Sequence, residues 1–183
     1  MTTKARTVLQ DVKVAIGLHG DHLSGEAFRV SWFGIVGLLR AIGHVLSKVD
    51  ADSDPALKKA INQKWLELQQ SKPEPTIFWG FIEEERNRFL KNYEHGITRL
   101  KVFKLGSTQG GLSLDLANSR NGFTQCLSLP QIPDEIKDRT TVSFITDGPF
   151  AGRNEKEIAQ EACQWWDSYL TDIERIAGSY RAV

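Results

Sequence analysis

The segment Glu83-Glu84-Glu85-Arg86-Asn87-Arg88-Phe89-Leu90-Lys91-Asn92-Tyr93-Glu94-His95 holds the densest set of side chains able to do chemistry. On a helix turning about 100° per residue, Arg86 falls beside Ile82 and Tyr93 on the apolar side. Glu84, Arg88, Lys91 and His95 fall together on the opposite side. An arginine withdrawn from water needs carboxylate or carbonyl partners. Arg86 is therefore expected either to make an ion pair between helices or to meet a ligand's phosphate or carboxylate in a cleft. Arg88, Lys91 and His95 form a short basic stripe. It could touch an RNA backbone, or be a solvated face on which Glu84 supports Arg88 one turn on.

Other chemistry is sparse. His19-Gly20-Asp21-His22 offers metal-ligand types, but no second cluster completes a coordination shell, so an ordinary polar turn is expected and no metal. His44, among Ala41, Ile42 and Val45, is expected to be partly buried and hydrogen-bonded. Cys126 and Cys163 have no Cys-x-x-Cys spacing and are expected as free thiols. The glycine-rich phosphate loop, the dinucleotide-binding fingerprint and the nucleophile elbow are absent, so nucleotide hydrolases and α/β hydrolases drop away and no cofactor is expected. With 23 basic and 23 acidic residues the net charge is zero, and polyanion binding would have to be a local patch.

The string Arg86-Asn87-Arg88-Phe89-Leu90-Lys91-Asn92-Tyr93, late in a helix, resembles the motif of the HEPN family, which in its toxin branch reads Arg-polar-x-x-x-His-x-Tyr. Arg86, Asn87 and Tyr93 match, and Lys91 stands at the histidine position. The resemblance implies a helical bundle acting on RNA without metal, with arginine and histidine of two subunits meeting across a dimer cleft. It also implies a protein partner such as a nucleotidyltransferase antitoxin. Lysine serves as a base near pH 7 only if its pKa falls by several units. Counted instead from Arg88, His95 takes the histidine position at a spacing the family allows, with Phe89 where the family has a polar residue. The string from Ile77 to Asn87 also resembles a set of uncharacterised bacterial helical proteins.

The elements that must position these residues follow from periodicity. From Lys4 to His95 the pattern is helical, with a first helix over about 4–16. Phe28, Trp32, Ile35, Leu39, Ile42 and Leu46 give the second its core face, and Gly34, Gly37 and Gly43 imply close approach of a neighbour. Asp54-Pro55 starts a third helix whose stripe is Leu57, Ile61, Trp65 and Leu68, and Pro73 and Pro75 end it. A fourth is expected from Thr76 to Glu94, with Phe78, Ile82, Phe89 and Tyr93 on one side and Gly96 as its stop.

After Gly96 the period shortens. Arg99–Leu105 and Leu112–Leu116 read as a hairpin turning at Gln109-Gly110-Gly111, joined by Val142–Ile145, with Pro130 and Pro133 in an irregular connection. Asn154 and Glu157 then resemble a capping pair opening a long helix with the stripe Ile158, Ala162, Trp165, Tyr169, Ile173 and Ile176. The expected fold is α+β and mostly α: one domain with a helical bundle over 1–96, a β-rich insertion over 97–153 and a C-terminal helix over 154–178 packing back.

Met1 to Arg6 is polar and the longest apolar stretch, Val30 to Leu39, is short of a membrane span, so a cytoplasmic protein without membrane contact is expected. The final helix, about 36 Å long, places Trp166 off its stripe beside Leu170, half exposed, from which a homodimer is expected unless the sheet covers that indole. Three functions compete: a HEPN-like protein that binds or weakly cleaves RNA; a non-enzymatic interaction or regulatory module; and an enzyme holding a small ligand between bundle and sheet.

Overall fold

A computed structural model describes residues 1–105, 109–115, 126–128 and 139–181. Five α-helices and an antiparallel sheet succeed one another much as the periodicity requires. Helix α1 (Thr3–Leu18) and α2 (Gly25–Lys48) form an antiparallel pair, α3 (Pro55–Gln70) follows, and a π-helical segment (Ile77–Glu83) runs directly into α4 (Glu84–Asn92). Strands β1 (Ile97–Leu105), β2 (Gln109–Asp115), β3 (Cys126–Ser128) and β4 (Arg139–Ile145) precede α5 (Glu155–Arg181). The architecture is thus mostly α, a helical bundle with a small antiparallel sheet inserted before a long C-terminal helix.

The core face of α2 is the one its spacing marks: Phe28, Trp32, Ile35, Leu39, Ile42 and Leu46 are all buried. By length and composition α2 would pass as a membrane span, at a mean hydropathy of 1.5, but these apolar side chains lie inside the bundle against the other helices. Burial of each large side chain contributes on the order of 2 kcal/mol. Asp54 caps α3 as its position before Pro55 requires, its Oδ1 accepting from Ala56 N at 2.9 Å. Asn154 does the same for α5, accepting from Lys156 N at 2.9 Å. Helix α1 is capped from a distance: Asp50, in the turn after α2, accepts from Lys4 N at 3.0 Å and Ala5 N at 2.8 Å, while Glu174 of α5 accepts from Thr2 N at 2.9 Å.

The sheet has the order β3-β2-β1-β4, with Leu100 opposite both Leu114 and Val142. It is tied to the bundle where β1 leaves α4 and β4 enters α5: Thr146 N donates to Gly96 O at 2.9 Å and Ile145 N to Arg153 O at 2.9 Å. The turn expected at Gln109–Gly111 is strand instead, pairing with Phe103–Leu105, because the glycines sit in the ladder. The link between β1 and β2, the end of the leucine alternation at Leu116 and the connection containing Pro130 and Pro133 lie outside the described residues.

Several local expectations are corrected. Helix α4 stops at Asn92, not Glu94, because Tyr93 takes the left-handed conformation (φ 55°) that usually falls to glycine after a helix. Gly96 has another job: a Cβ there would stand 2.6 Å from the Arg88 guanidinium and 2.7 Å from the Glu85 carboxylate. On α2 only Gly43 meets a neighbour, its Cβ position lying 3.0 Å from the Trp166 ring, whereas Gly34 and Gly37 face open space and His44 is exposed. Trp166 is 2 % exposed, and Trp165 is the partly exposed member of the pair. The buried stripe of α5 runs through Ile158, Ala159, Ala162, Cys163, Trp166 and Leu170, and both α1 and α3 pack along this helix. The surface from which a homodimer was expected is therefore inside the bundle.

Candidate functional site

The face of α4 is set by Phe78, Phe81, Ile82 and Phe89. With Tyr93 outside the helix, the centre of that stripe falls on Glu85, and Glu85 rather than Arg86 turns inward. Its carboxylate accepts from Trp32 Nε1 at 3.2 Å and from Gly96 N at 3.4 Å, with Arg88 Nε at 3.5 Å. Burial pushes the Glu85 carboxyl above its ordinary value, against the pull of Trp32 and Arg88. Arg86 is 37 % exposed, 3.8 Å from Glu83 and donating to Asn87 Oδ1 at 2.9 Å. Arg88 is held by Asp147 through two hydrogen bonds of 2.6 and 3.1 Å.

Asn87, Arg88 and Lys91 do share one feature, a shallow concavity of roughly 350 Å³ completed by Glu84, Asn92 and Glu94. Its two acidic members offset its two cations, and Arg88 already has carboxylate partners. Lys91 makes no ion pair among the described residues. Tyr93 is exposed, its ring near Phe33 and under the Arg29 guanidinium. His95, expected on the basic stripe, is 4 % exposed and packs on Phe28 and Phe33, because the chain reverses at Tyr93 and the helical phase no longer applies to it. Burial, with Arg29 nearby, lowers its imidazole to about 4. Arg86, Lys91 and His95 thus occupy three different environments.

A second polar cluster joins sheet and bundle. His19, expected in an ordinary polar turn, is buried: Nδ1 lies 2.9 Å from Ser31 Oγ and Nε2 3.7 Å from Glu155 Oε1. Ser143 Oγ donates to the same Glu155 oxygen at 2.7 Å. Burial opposes ionisation of Glu155, yet the nearby His19 imidazole and the Ser143 hydrogen bond hold its carboxyl below the usual value. Arg99 closes the cluster by donating to the carbonyls of Leu23 and Asp21 above the Phe28 ring. The residue types are those of a nucleophile–base–acid relay, but both the base and the acid are sealed beneath packed side chains, and the cluster fastens α2, β1, β4 and α5 together. Among the described residues no three His, Cys, Asp or Glu side chains are grouped to hold a metal ion.

The enclosed space lies elsewhere, between α2, α3, the π-helical segment and α5. A cavity of roughly 260 Å³ has Leu46, Ile61, Leu68, Phe78 and Trp166, all buried, at its inner end. Trp65 and Tyr169 flank it, and Arg40, His44 and Asn62 stand at its mouth. The rings form a connected set: Phe78 lies 6.2 Å from Trp65, 4.9 Å from Trp79, 5.1 Å from Trp165 and 6.0 Å from Trp166, and Tyr169 stacks on Trp165 at 5.0 Å. The Trp166 indole N–H is buried without an acceptor among the described residues. Arg40 Nε meets Glu83 at 2.7 Å, and Glu83 also faces Arg86.

No family model, curated protein or solved structure matches the chain. Leu46, Ile61, Trp65, Leu68, Phe78 and Tyr169 were legible as stripe members on separate helices, but their convergence, and the place of Trp166 among them, depends on how α2, α3 and α5 pack. Glu83 and Arg40 carried no such signal, since a charged pair between helices has no fixed spacing.

Proposed function

We propose that the chain is a non-enzymatic binding module whose helical bundle encloses a small ring-bearing molecule. The observation that supports this most is the aromatic lining of the cavity between α2, α3 and α5. Ligand sites are concave, mostly apolar and furnished with a few polar groups. An apolar cavity of about 150 Å³ holds benzene, so roughly 260 Å³ accommodates one substituted ring. Saturation-transfer NMR against a set of one-ring compounds tests the reading. Signals from bound rings that vanish in Trp65→Ala are expected; their absence in the wild type, or persistence in the variant, counts against it.

A second reading, an RNA-associated HEPN-like protein, is favoured by the concavity that Asn87, Arg88 and Lys91 share. The separation of Arg86, Lys91 and His95 weighs against cleavage. Little or no metal-independent cleavage of single-stranded RNA is expected from purified protein; robust cleavage abolished by His95→Ala would restore that reading.

A further inference from the structure

We infer that the molecule taken by the aromatic cavity is a one-ring aromatic carboxylate, its ring against Trp65, Phe78 and Tyr169 and its carboxylate on the Arg40 guanidinium. This rests on the binding reading given above and adds the sign of the ligand's charge. None of the residues lining the cavity is Asp or Glu, and the ionisable groups at its mouth are Arg40 and His44. Arg40 is anchored by one edge only: Nε faces Glu83 at 2.7 Å, while Nη1 lies 3.3 Å from the position a Gly43 Cβ would take, on the cavity's own wall. A guanidinium presents five donors in a planar fork, so an edge remains for a planar acceptor with two oxygens.

The inner end favours the same chemistry. The Trp166 indole N–H, in a side chain 2 % exposed, has no acceptor among the described residues. The phenol of Tyr169 is kept protonated by burial and by Glu67 nearby, and so remains a donor. Asn62 and Ser47 in the lining can donate as well as accept, and an ammonium ligand would find no carboxylate in the lining to meet it. Size fits the rest of the molecule: with a cavity of about 150 Å³ enough for benzene, roughly 260 Å³ leaves room for a ring and one carboxylate.

Glu83 competes for the same guanidinium, which gives the inference a signature that simple ring burial lacks. Titration calorimetry on the full chain with benzoate, benzyl alcohol and benzylammonium tests it. Benzoate is expected to bind at least tenfold tighter than benzyl alcohol, with benzylammonium weakest. Arg40→Gln should remove the advantage of benzoate over benzyl alcohol, and Glu83→Gln, which frees the guanidinium, should tighten benzoate severalfold. Equal or better binding of benzyl alcohol or benzylammonium overturns the carboxylate inference and leaves the binding module standing. No binding of any of the three overturns both. The comparison of the three compounds on the wild-type chain needs no variant, so a poorly folded Arg40→Gln protein does not rescue the inference.

Discussion

Removing the Arg86 guanidinium leaves Glu83 still paired with Arg40 at 2.7 Å, so Arg86→Ala is expected to lower unfolding free energy by less than about 1 kcal/mol, as for other half-exposed ion pairs. The neighbouring substitution is different. Glu85→Ala would strand the Trp32 indole N–H and the Gly96 amide inside the bundle and take a carboxylate from Arg88. A loss of about 3 kcal/mol is expected in urea unfolding, and Glu85→Gln should lose far less, since burial already favours the uncharged carboxyl. Equal losses for the alanine variants at the two positions would contradict the placement of these side chains. His95 is read through pH. With its imidazole lowered to about 4 by burial and an unfolded value near 6.5, the stability it lends is whole above pH 6.5. It drains away as pH falls toward 4, by on the order of 3 kcal/mol in all. His95→Gln is expected to flatten the urea midpoint across that window; an unchanged slope there would place the titration on another group.

At the scale of elements, α1 depends on a carboxylate that its own sequence does not supply. Asp50 is buried and takes the Lys4 and Ala5 amides, two of the donors that no residue inside the helix can satisfy. Asp50→Ala is expected to cost about 2 kcal/mol and to speed hydrogen exchange at Ala5 and the next turn of α1; protection unchanged at those amides would show the cap to be dispensable. This contact also marks the limit of reading elements from spacing. The helices were legible because Phe28 to Leu46 on α2 and Asp54-Pro55 at α3 encode face and start locally. What ends or orients an element was legible only where it is local too. Asp50 capping a helix 45 residues away and Trp166 wedged against Gly43 each depend on a partner distant in sequence, and the left-handed turn at Tyr93 has no glycine to announce it. The shift of the inward position from Arg86 to Glu85 followed directly from counting Tyr93 as part of α4.

Across the whole molecule, one continuous core runs from Ala5 of α1 through α2, α3 and the π-helical segment to Ala177 of α5, and takes in Ile97 and Ile145 of the sheet. The first and last helices are clasped by Arg6, which meets Glu174 and Asp167 at 2.8 Å each, and by Thr2 on Glu174. Hydrogen bonding to Arg6 holds the Glu174 carboxyl at about 2. Its contribution is therefore present above the unfolded value of about 4.5 and lost as pH falls from there toward 2. Glu174→Gln is expected to lower the melting temperature at pH 7 and to leave it nearly unchanged at pH 2; the same deficit at both pH values would mean that charge is not what holds the clasp. The ring cluster has a consequence of another kind. Four of the five tryptophans belong to it, with Trp165 and Trp166 centred 4.8 Å apart and Trp65 and Trp79 6.4 Å apart, whereas Trp32 neighbours Phe81 and His19 instead. Indoles so close exchange electronic excitation faster than they emit, so the four radiate as one coupled chromophore. A molecule seated beside Trp65 and Trp166 would change the colour and brightness of all four together, and the chain carries its own optical gauge of whether the cavity is filled.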